Sequence, residues 1–116
     1  IVENGFWHPD LPYEGARAFF DAYVAKYKKT PSTDAAYAYL GNQILQQAVE
    51  QAGTLDREKI AATLHSGKFT TILGPYEYDQ NGINKHQLSF LAQIQKGERV
   101  IVWPKEVTKS AVKLPY

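Results

Sequence analysis

The 116-residue sequence contains no cysteine and no methionine. The first absence excludes disulfides, thiolate-bound zinc and thiol catalysis, and it is compatible with any redox compartment. The second means that the chain does not open at its own initiator. It opens on Ile1-Val2, without the charged and apolar regions of a signal peptide, as though cut from something longer. The expectation is therefore a fragment of a larger protein. Charge of one sign is also lacking: 13 Lys and Arg stand against 12 Asp and Glu. That balance gives no general reason to expect nucleic acid or acidic substrates. No apolar run approaches the length of a membrane span.

Chemistry-bearing motifs are equally scarce. His8, His65 and His86 are too far apart for a local metal motif, and no His-x-x-x-His pair exists. The stretch Asp79-x-Asn81-Gly82 opens like a calcium loop but lacks the later oxygen ligands and the closing Glu, so it reads as a turn. There is no Gly-x-Ser-x-Gly elbow, phosphate-binding glycine loop or dinucleotide fingerprint. Asp10 and Glu14 are close in sequence, but carboxylates of that kind are normally solvated. Nothing here calls for an enzyme or a cofactor. The alternation of Tyr and Lys in YVAKYKK resembles a base-stacking platform, yet its spacing puts Tyr23 and Tyr27 on a buried stripe with the lysines outside. Nucleic acid is not an expected partner.

What is present is ordinary globular material, 44% hydrophobic, with fifteen aromatic residues of which eight are the half-wet Tyr. A chain of this length suits one modest domain. Its organising stretch is Ser32–Leu64: a long Ala-rich helix, a turn ended by Gly53, and a short capped helix. Ala36, Tyr37, Leu40, Ile44, Ala48 and Ala52 form an apolar stripe, which Leu45 and Val49 widen. Only Asp34 and Glu50 are charged between residues 34 and 52, so this helix is expected to be mostly covered. Ser32, Thr33 or Asp34 can cap it just after Pro31.

Before this stretch, Ile1-Val2 can end a strand, and Trp7–Pro12 cannot be helical because both prolines push their predecessors towards extended geometry. A helix is expected from near Tyr13, burying Ala16, Phe19, Phe20, Tyr23, Val24 and Tyr27 and stopped by Pro31. After it, Asp56 is an N-cap, Leu55 and Ile60 make a hydrophobic staple, Ile60, Ala61 and Leu64 face inward, and Gly67 stops the helix. Short strands follow at Phe69–Leu73 and Tyr76–Tyr78, then a turn at Asp79–Gly82. Two longer strands, Leu88–Gln95 and Arg99–Trp103, meet at Lys96-Gly97-Glu98. The first turns Leu88, Phe90, Ala92 and Ile94 inward, or the opposite face in the other register. Residues 96–116 carry five Lys or Arg against two Glu, a mildly basic surface tail.

Several segments, taken in order, resemble one family. AYAYLGNQILQQAVEQAGTLDREKIAATL is similar to the late segment of periplasmic solute-binding proteins of the leucine/isoleucine/valine-binding family. FWHPDLPYEGARAFFDAYVAKYKKTP resembles that family's aromatic-Pro crossover and the helix after it. GKFTTILGPYEYDQNG resembles its strand pair ending in an Asp-x-x-Gly turn, LSFLAQIQKGERVIVWP its closing hairpin, and the last residues its Pro-containing tail.

The resemblance implies an α/β fold: the C-terminal segment of a two-lobed type I periplasmic-binding (Rossmann-like) protein, with three helices, short strands and a C-terminal hairpin. Residues from about 9 to 86 would belong to one lobe, and from about 88 to 116 to a hinge crossing and strands towards the other. It further implies a periplasmic receptor of an ABC importer, holding an amino acid between the lobes and delivering it to a membrane permease. The serine, threonine and acidic groups that hold the ligand would come from the missing N-terminal portion. Trp7 and His8 would stand where the cleft opens, or Trp7 would pack the hinge. Asp34 and Ala35 would line the cleft at the start of the long helix, or serve as cap and core. The small alanines depart from members with a bulky aromatic there and leave room for a larger ligand, an aromatic acid. The alternatives are a cytoplasmic ligand sensor of the same fold or a small enzyme on this scaffold. A lobe fragment would also leave sheet edges and apolar faces uncovered, which a homo-oligomer or an upstream fragment would cover.

Overall fold

A computed structural model describes residues 1–114; Pro115 of the Pro-containing tail lies outside the described residues. The elements run β1 (Val2–Gly5), α1 (Ala16–Tyr27), α2 (Thr33–Ala52), α3 (Arg57–Ser66), β2 (Lys68–Thr71), β3 (Gly74–Glu77), β4 (Phe90–Gln95) and β5 (Glu98–Trp103). The strands form a three-stranded sheet of order β1-β4-β5 and a separate β2-β3 hairpin, with every pair antiparallel. The long antiparallel hairpin and the α2–α3 pair fall where the sequence predicts them.

Two cores result. The first joins Trp7 and Ala16 to the α2 stripe Ala36, Leu40, Ile44 and Ala48 and to Phe69, Ile72, Leu73 and Tyr76 of the hairpin. The second lies on the three-stranded sheet and contains Leu11, Phe90, Ala92, Ile101 and Val107. Tyr13 packs against both. Among the described residues, no strand of the three-stranded sheet packs extensively on a helix. The molecule is accordingly long and flat, 56 × 34 × 18 Å, with a radius of gyration of 16.5 Å. A compact domain of this length would have about 13 Å.

The caps explain the helix boundaries. Ser32 Oγ accepts from the Ala35 N–H at 3.2 Å, and Asp56 accepts from the Lys59 N–H at 3.0 Å. Gly53, at φ 65°, closes α2 through its N–H to the Val49 carbonyl. Gly67 ends α3 in extended geometry; glycine is needed there for space, since a Cβ would meet the Thr63 carbonyl at 2.6 Å and the Phe69 ring at 2.7 Å. Helix α1 starts at Ala16, not near Tyr13, and it ends because Lys28 adopts a left-handed conformation at φ 57°, three residues before Pro31.

Coverage is narrower than the apolar pattern suggests. Along α2 only Ala36, Leu40, Ile44 and Ala48 are buried, and Leu45 is 51% exposed. Only Ala16 of α1 is fully buried, and Tyr27 is exposed. Leu55 is 81% exposed, so the expected staple is not made, and Ala61 also faces solvent. On β4, Phe90 and Ala92 face the core as expected, while Ile94, near the strand end, is exposed. In the short hairpin Ile72-Leu73, expected as the end of a strand, form the turn, and Gly74-Pro75 open β3. This apolar turn is buried, and Thr71 Oγ1 serves its backbone, donating to the Gly74 carbonyl at 2.8 Å and accepting from the Leu73 N–H at 3.1 Å.

Glutamines join α2 to the hairpin. Gln43, Gln47 and Gln51 are four residues apart, so they share one helix face. Gln43 Oε1 accepts from the Ile72 N–H at 3.0 Å. Gln47 accepts from the Thr70 N–H at 3.0 Å and donates to the Thr70 carbonyl at 2.7 Å, and Gln51 donates to the Lys68 carbonyl at 3.0 Å. The side chains thus pair with the outward edge of β2 as a neighbouring strand would. Pro75 sits opposite Thr70 in the register, where neither residue bonds across the pair, so its missing N–H costs nothing. Replacing Gln47 with Ala removes both bonds to Thr70 and is expected to destabilise the chain by about 1–2 kcal/mol. A urea titration checks this as a lower midpoint at unchanged slope.

Candidate functional site

The segment leaving β1, Phe6 to Pro12, passes from one core to the other, and its first turn borders a cavity of about 550 Å³. The walls come from four parts of the chain: Trp7 to Asp10, Arg17 and Phe20 of α1, Thr30-Pro31 before α2, and Glu98-Arg99 of β5. Trp7 is 3% exposed, with its indole edge-on to Phe19 at 5.6 Å and tilted over Phe20 at 6.5 Å. Its Nε1–H is buried without a hydrogen-bond partner among the described residues.

His8 is 7% exposed and both ring nitrogens are engaged. Nδ1 accepts from the Asp10 N–H at 3.1 Å, so the proton resides on Nε2, which donates to the Arg99 carbonyl at 3.1 Å. The ring stands edge-on to Phe90 of β4. Burial pushes the imidazole pKa down and outweighs the Arg99 carbonyl and the nearby Asp10 carboxylate, which pull it up. The site therefore holds a neutral, oriented imidazole. Arg99 donates back to the Trp7 carbonyl at 3.0 Å, pairs with Glu3 and lies over the Phe90 ring at 5.2 Å. Arg17 pairs with Asp10 and covers Phe20 at 5.4 Å.

Asp34 and Ala35 lie elsewhere. Asp34 is an exposed first-turn residue of α2, favourably placed for the helix dipole. The Ala35 and Ala36 N–H groups are taken up by Ser32, so the helix start offers fewer free amides than its position alone implies. Ala35 borders a second concavity of about 510 Å³ between α1 and α2, whose aromatic walls are Phe19, Tyr23, Tyr27 and Tyr39. Phe19 stands between the two, packing on Trp7 on one side and on Tyr39, 4.7 Å away, on the other. Trp7 and His8 thus share one cavity, Asp34 and Ala35 sit at another place, and the structure does not merge them. Arg17 and Arg99 were not anticipated. Arg17 is seven residues from its partner Asp10 across a proline turn, and Arg99 is 91 residues from His8, with no local pattern to reveal either.

Two outcomes follow from this geometry. Trp7→Ala should cost about 3–5 kcal/mol through the lost aromatic packing. Trp7→Phe should stay within about 1 kcal/mol, because the smaller ring keeps part of the packing and removes an unpaired N–H. Thermal melts of both variants check the difference. Because the folded-state pKa of His8 lies below the ordinary 6.5, the unfolded chain binds the proton more readily. The stabilisation by neutral His8 is complete above about pH 6.5 and fades as pH falls towards the folded-state pKa. A His8→Gln variant should therefore lose less stability than the parent between about pH 7.5 and about pH 5.5, measured by denaturant titration.

Comparison with known proteins gives the arrangement a context. Residues 2–99 match a family model described as periplasmic binding protein. A leucine-binding protein from Thermotoga maritima MSB8 is similar at 27% identity and a TM-score of 0.71, over 87% of this chain and 29% of that one. The solute-binding protein of an ABC transporter from R. palustris, solved with benzoate, has 21% identity and a TM-score of 0.74 over 97% of this chain and 33% of its own. Another from Rhodopseudomonas palustris BisB5, solved with 3,4-dihydroxybenzoic acid, has 20% identity and a TM-score of 0.69 over 85% and 28%. This chain therefore spans about a third of the length of the proteins it resembles. With a family model matched along most of its length and a fold shared with these proteins, the chain belongs to the periplasmic binding proteins, with the type I fold.

Proposed function

We propose that this chain is the C-terminal segment of an extracytoplasmic receptor of an ABC importer, which holds an amino acid or related small carboxylate between two lobes and passes it to a membrane permease. The observation that carries the reading is the family match over residues 2–99, a stretch that includes the whole crossover, all of the first core and strand β4 of the second. In this reading, residues from about 9 to 86 belong to one lobe, and those from about 88 onwards carry the hinge crossing and strands towards the other. The N-terminal portion of the same protein completes both lobes and supplies most of the ligand donors. Its missing surfaces, or a second copy, would cover exposed apolar side chains such as Leu45 and Tyr39. The protein would work in the periplasm. No covalent chemistry is required: a ligand that touches both lobes stabilises the closed arrangement by differential binding.

The ligand-facing residues in this reading are Asp34 and Ala35 at the start of α2, with Trp7 and His8 flanking the cleft at the crossover. An amino acid is the first ligand class, in keeping with the leucine-binding neighbour. An aromatic acid is the second, favoured by one observation: the short Ala35 side chain opens onto a concavity walled by Phe19, Tyr23 and Tyr39.

Calorimetric titration of the protein containing this chain, with leucine and with benzoate, tests the proposal. One-site binding of one of them is expected, with Ala35→Phe weakening it at least about tenfold, or about 1.4 kcal/mol. Turnover of the bound compound, or an affinity that Ala35→Phe leaves unchanged, would contradict it.

A further inference from the structure

The two cores are joined by few contacts, so something must fix the direction in which the crossover leaves the sheet. The groups that do this form a closed pair of bonds. The His8 side chain donates to the Arg99 carbonyl, and the Arg99 side chain donates to the carbonyl of Trp7, the residue next to His8. Each residue therefore holds the other's backbone neighbourhood. Arg99 reaches this position from β5 by lying over Phe90 of β4 and pairing with Glu3 of β1, which ties all three strands through one guanidinium. Space for it is made by Gly5, where a Cβ would stand 2.4 Å from the Arg99 guanidinium and 2.7 Å from the Phe90 ring. The chain of contacts then continues to the helical side: the Asp10 N–H donates to His8 Nδ1, and the Asp10 carboxylate pairs with Arg17 of α1.

We propose that Arg99 is a positioning residue, which through its reciprocal bonds with the Trp7-His8 segment sets the angle between the three-stranded sheet and the helical core. In the receptor reading above, on which its functional meaning rests, this makes Arg99 the residue that biases the lobes towards one relative orientation before a solute arrives. The guanidinium suits the task because it is planar and carries several donors in a fixed fork. It serves Glu3 and the Trp7 carbonyl at once, while its face rests on Phe90. A lysine ammonium can keep the charge beside Glu3 but not that fork.

The absence of cysteine from these 116 residues allows a clean test. Cysteines are introduced by Gly41→Cys, on the exposed face of α2 where a Cβ meets nothing within 4 Å, and by Leu91→Cys on the exposed face of β4. Spin labels on both report the distance between the cores by pulsed electron resonance, in the chain without any solute. The parent should give a single narrow distribution. Arg99→Gln and Arg99→Lys should each broaden it about twofold or more, or shift its centre, while helix content by circular dichroism stays at the parent level. Glu3→Gln, which removes the ion pair but leaves the Trp7 bond, should keep it narrow. If the lysine variant remains as narrow as the parent, or Glu3→Gln broadens it as much as Arg99→Gln does, the proposal is overturned. Because no solute is used, failure here leaves the receptor reading standing, and failure to bind a solute leaves this result standing.

Discussion

A strand edge must find partners for its outward N–H and C=O groups, and in this chain the partners of β2 are the carboxamides of α2. Gln47 pairs with both backbone groups of Thr70, flanked by Gln43 on Ile72 and Gln51 on Lys68. A helix cannot extend a β-ladder, but a primary amide presents the same donor and acceptor as a peptide group. The row of glutamines runs beside the buried stripe Ala36, Leu40, Ile44 and Ala48, so one helix both packs on the hairpin and satisfies its edge. The first core depends on that double use. The same chemistry recurs on the second core, where Gln93 pairs with both backbone groups of Lys113 and Gln95 donates to the Ala111 carbonyl, holding the tail against the sheet.

Between the cores the economy is different. The crossover carries Trp7 into one core and Leu11 into the other within a few residues, with Tyr13 touching both. Such a segment has little slack: His8 is held at both nitrogens, and the Trp7 carbonyl is held by Arg99. Neutral His8 belongs to this logic. A buried imidazolium would surrender the bond from the Asp10 N–H and meet an apolar setting, and burial outweighs the pull of the Arg99 carbonyl towards the charged form. In the proposed receptor, motion between lobes would be cheapest where contacts are few, and contacts between the helices and the three-stranded sheet are few.

Much of this was legible from residue order. The period of α2, the caps at Ser32, Gly53 and Asp56, and the long β4–β5 hairpin follow from local rules, and the structure has them. Local rules failed where they assumed a partner for every apolar side chain. Leu45, Tyr27 and Leu55 fit an inward pattern, yet half or more of each stays exposed. Ile72-Leu73 looked like strand because β-branched and aliphatic residues normally do; only burial of the hairpin tip makes an apolar turn stable there. The role of the glutamines left no sign in the sequence, since a polar residue on a helix does not announce a strand beside it. At the candidate site, Trp7 and His8 were visible as an aromatic pair before a proline, but Arg99 was not, because a contact across 91 residues leaves no trace in local composition. The separation of Ala35 from Trp7 by the Phe19 ring was likewise beyond periodicity, which placed Phe19 inward without saying between what.

In the proposed receptor these features would be parts of one device: two cores, a crossover with little slack, and a solute that draws the lobes together. Small-angle scattering of the protein containing this chain, with and without a saturating solute such as leucine or benzoate, tests that claim most directly. The account predicts a smaller radius of gyration on binding, as the lobes close over the ligand. Saturable binding with an unchanged scattering profile would contradict it.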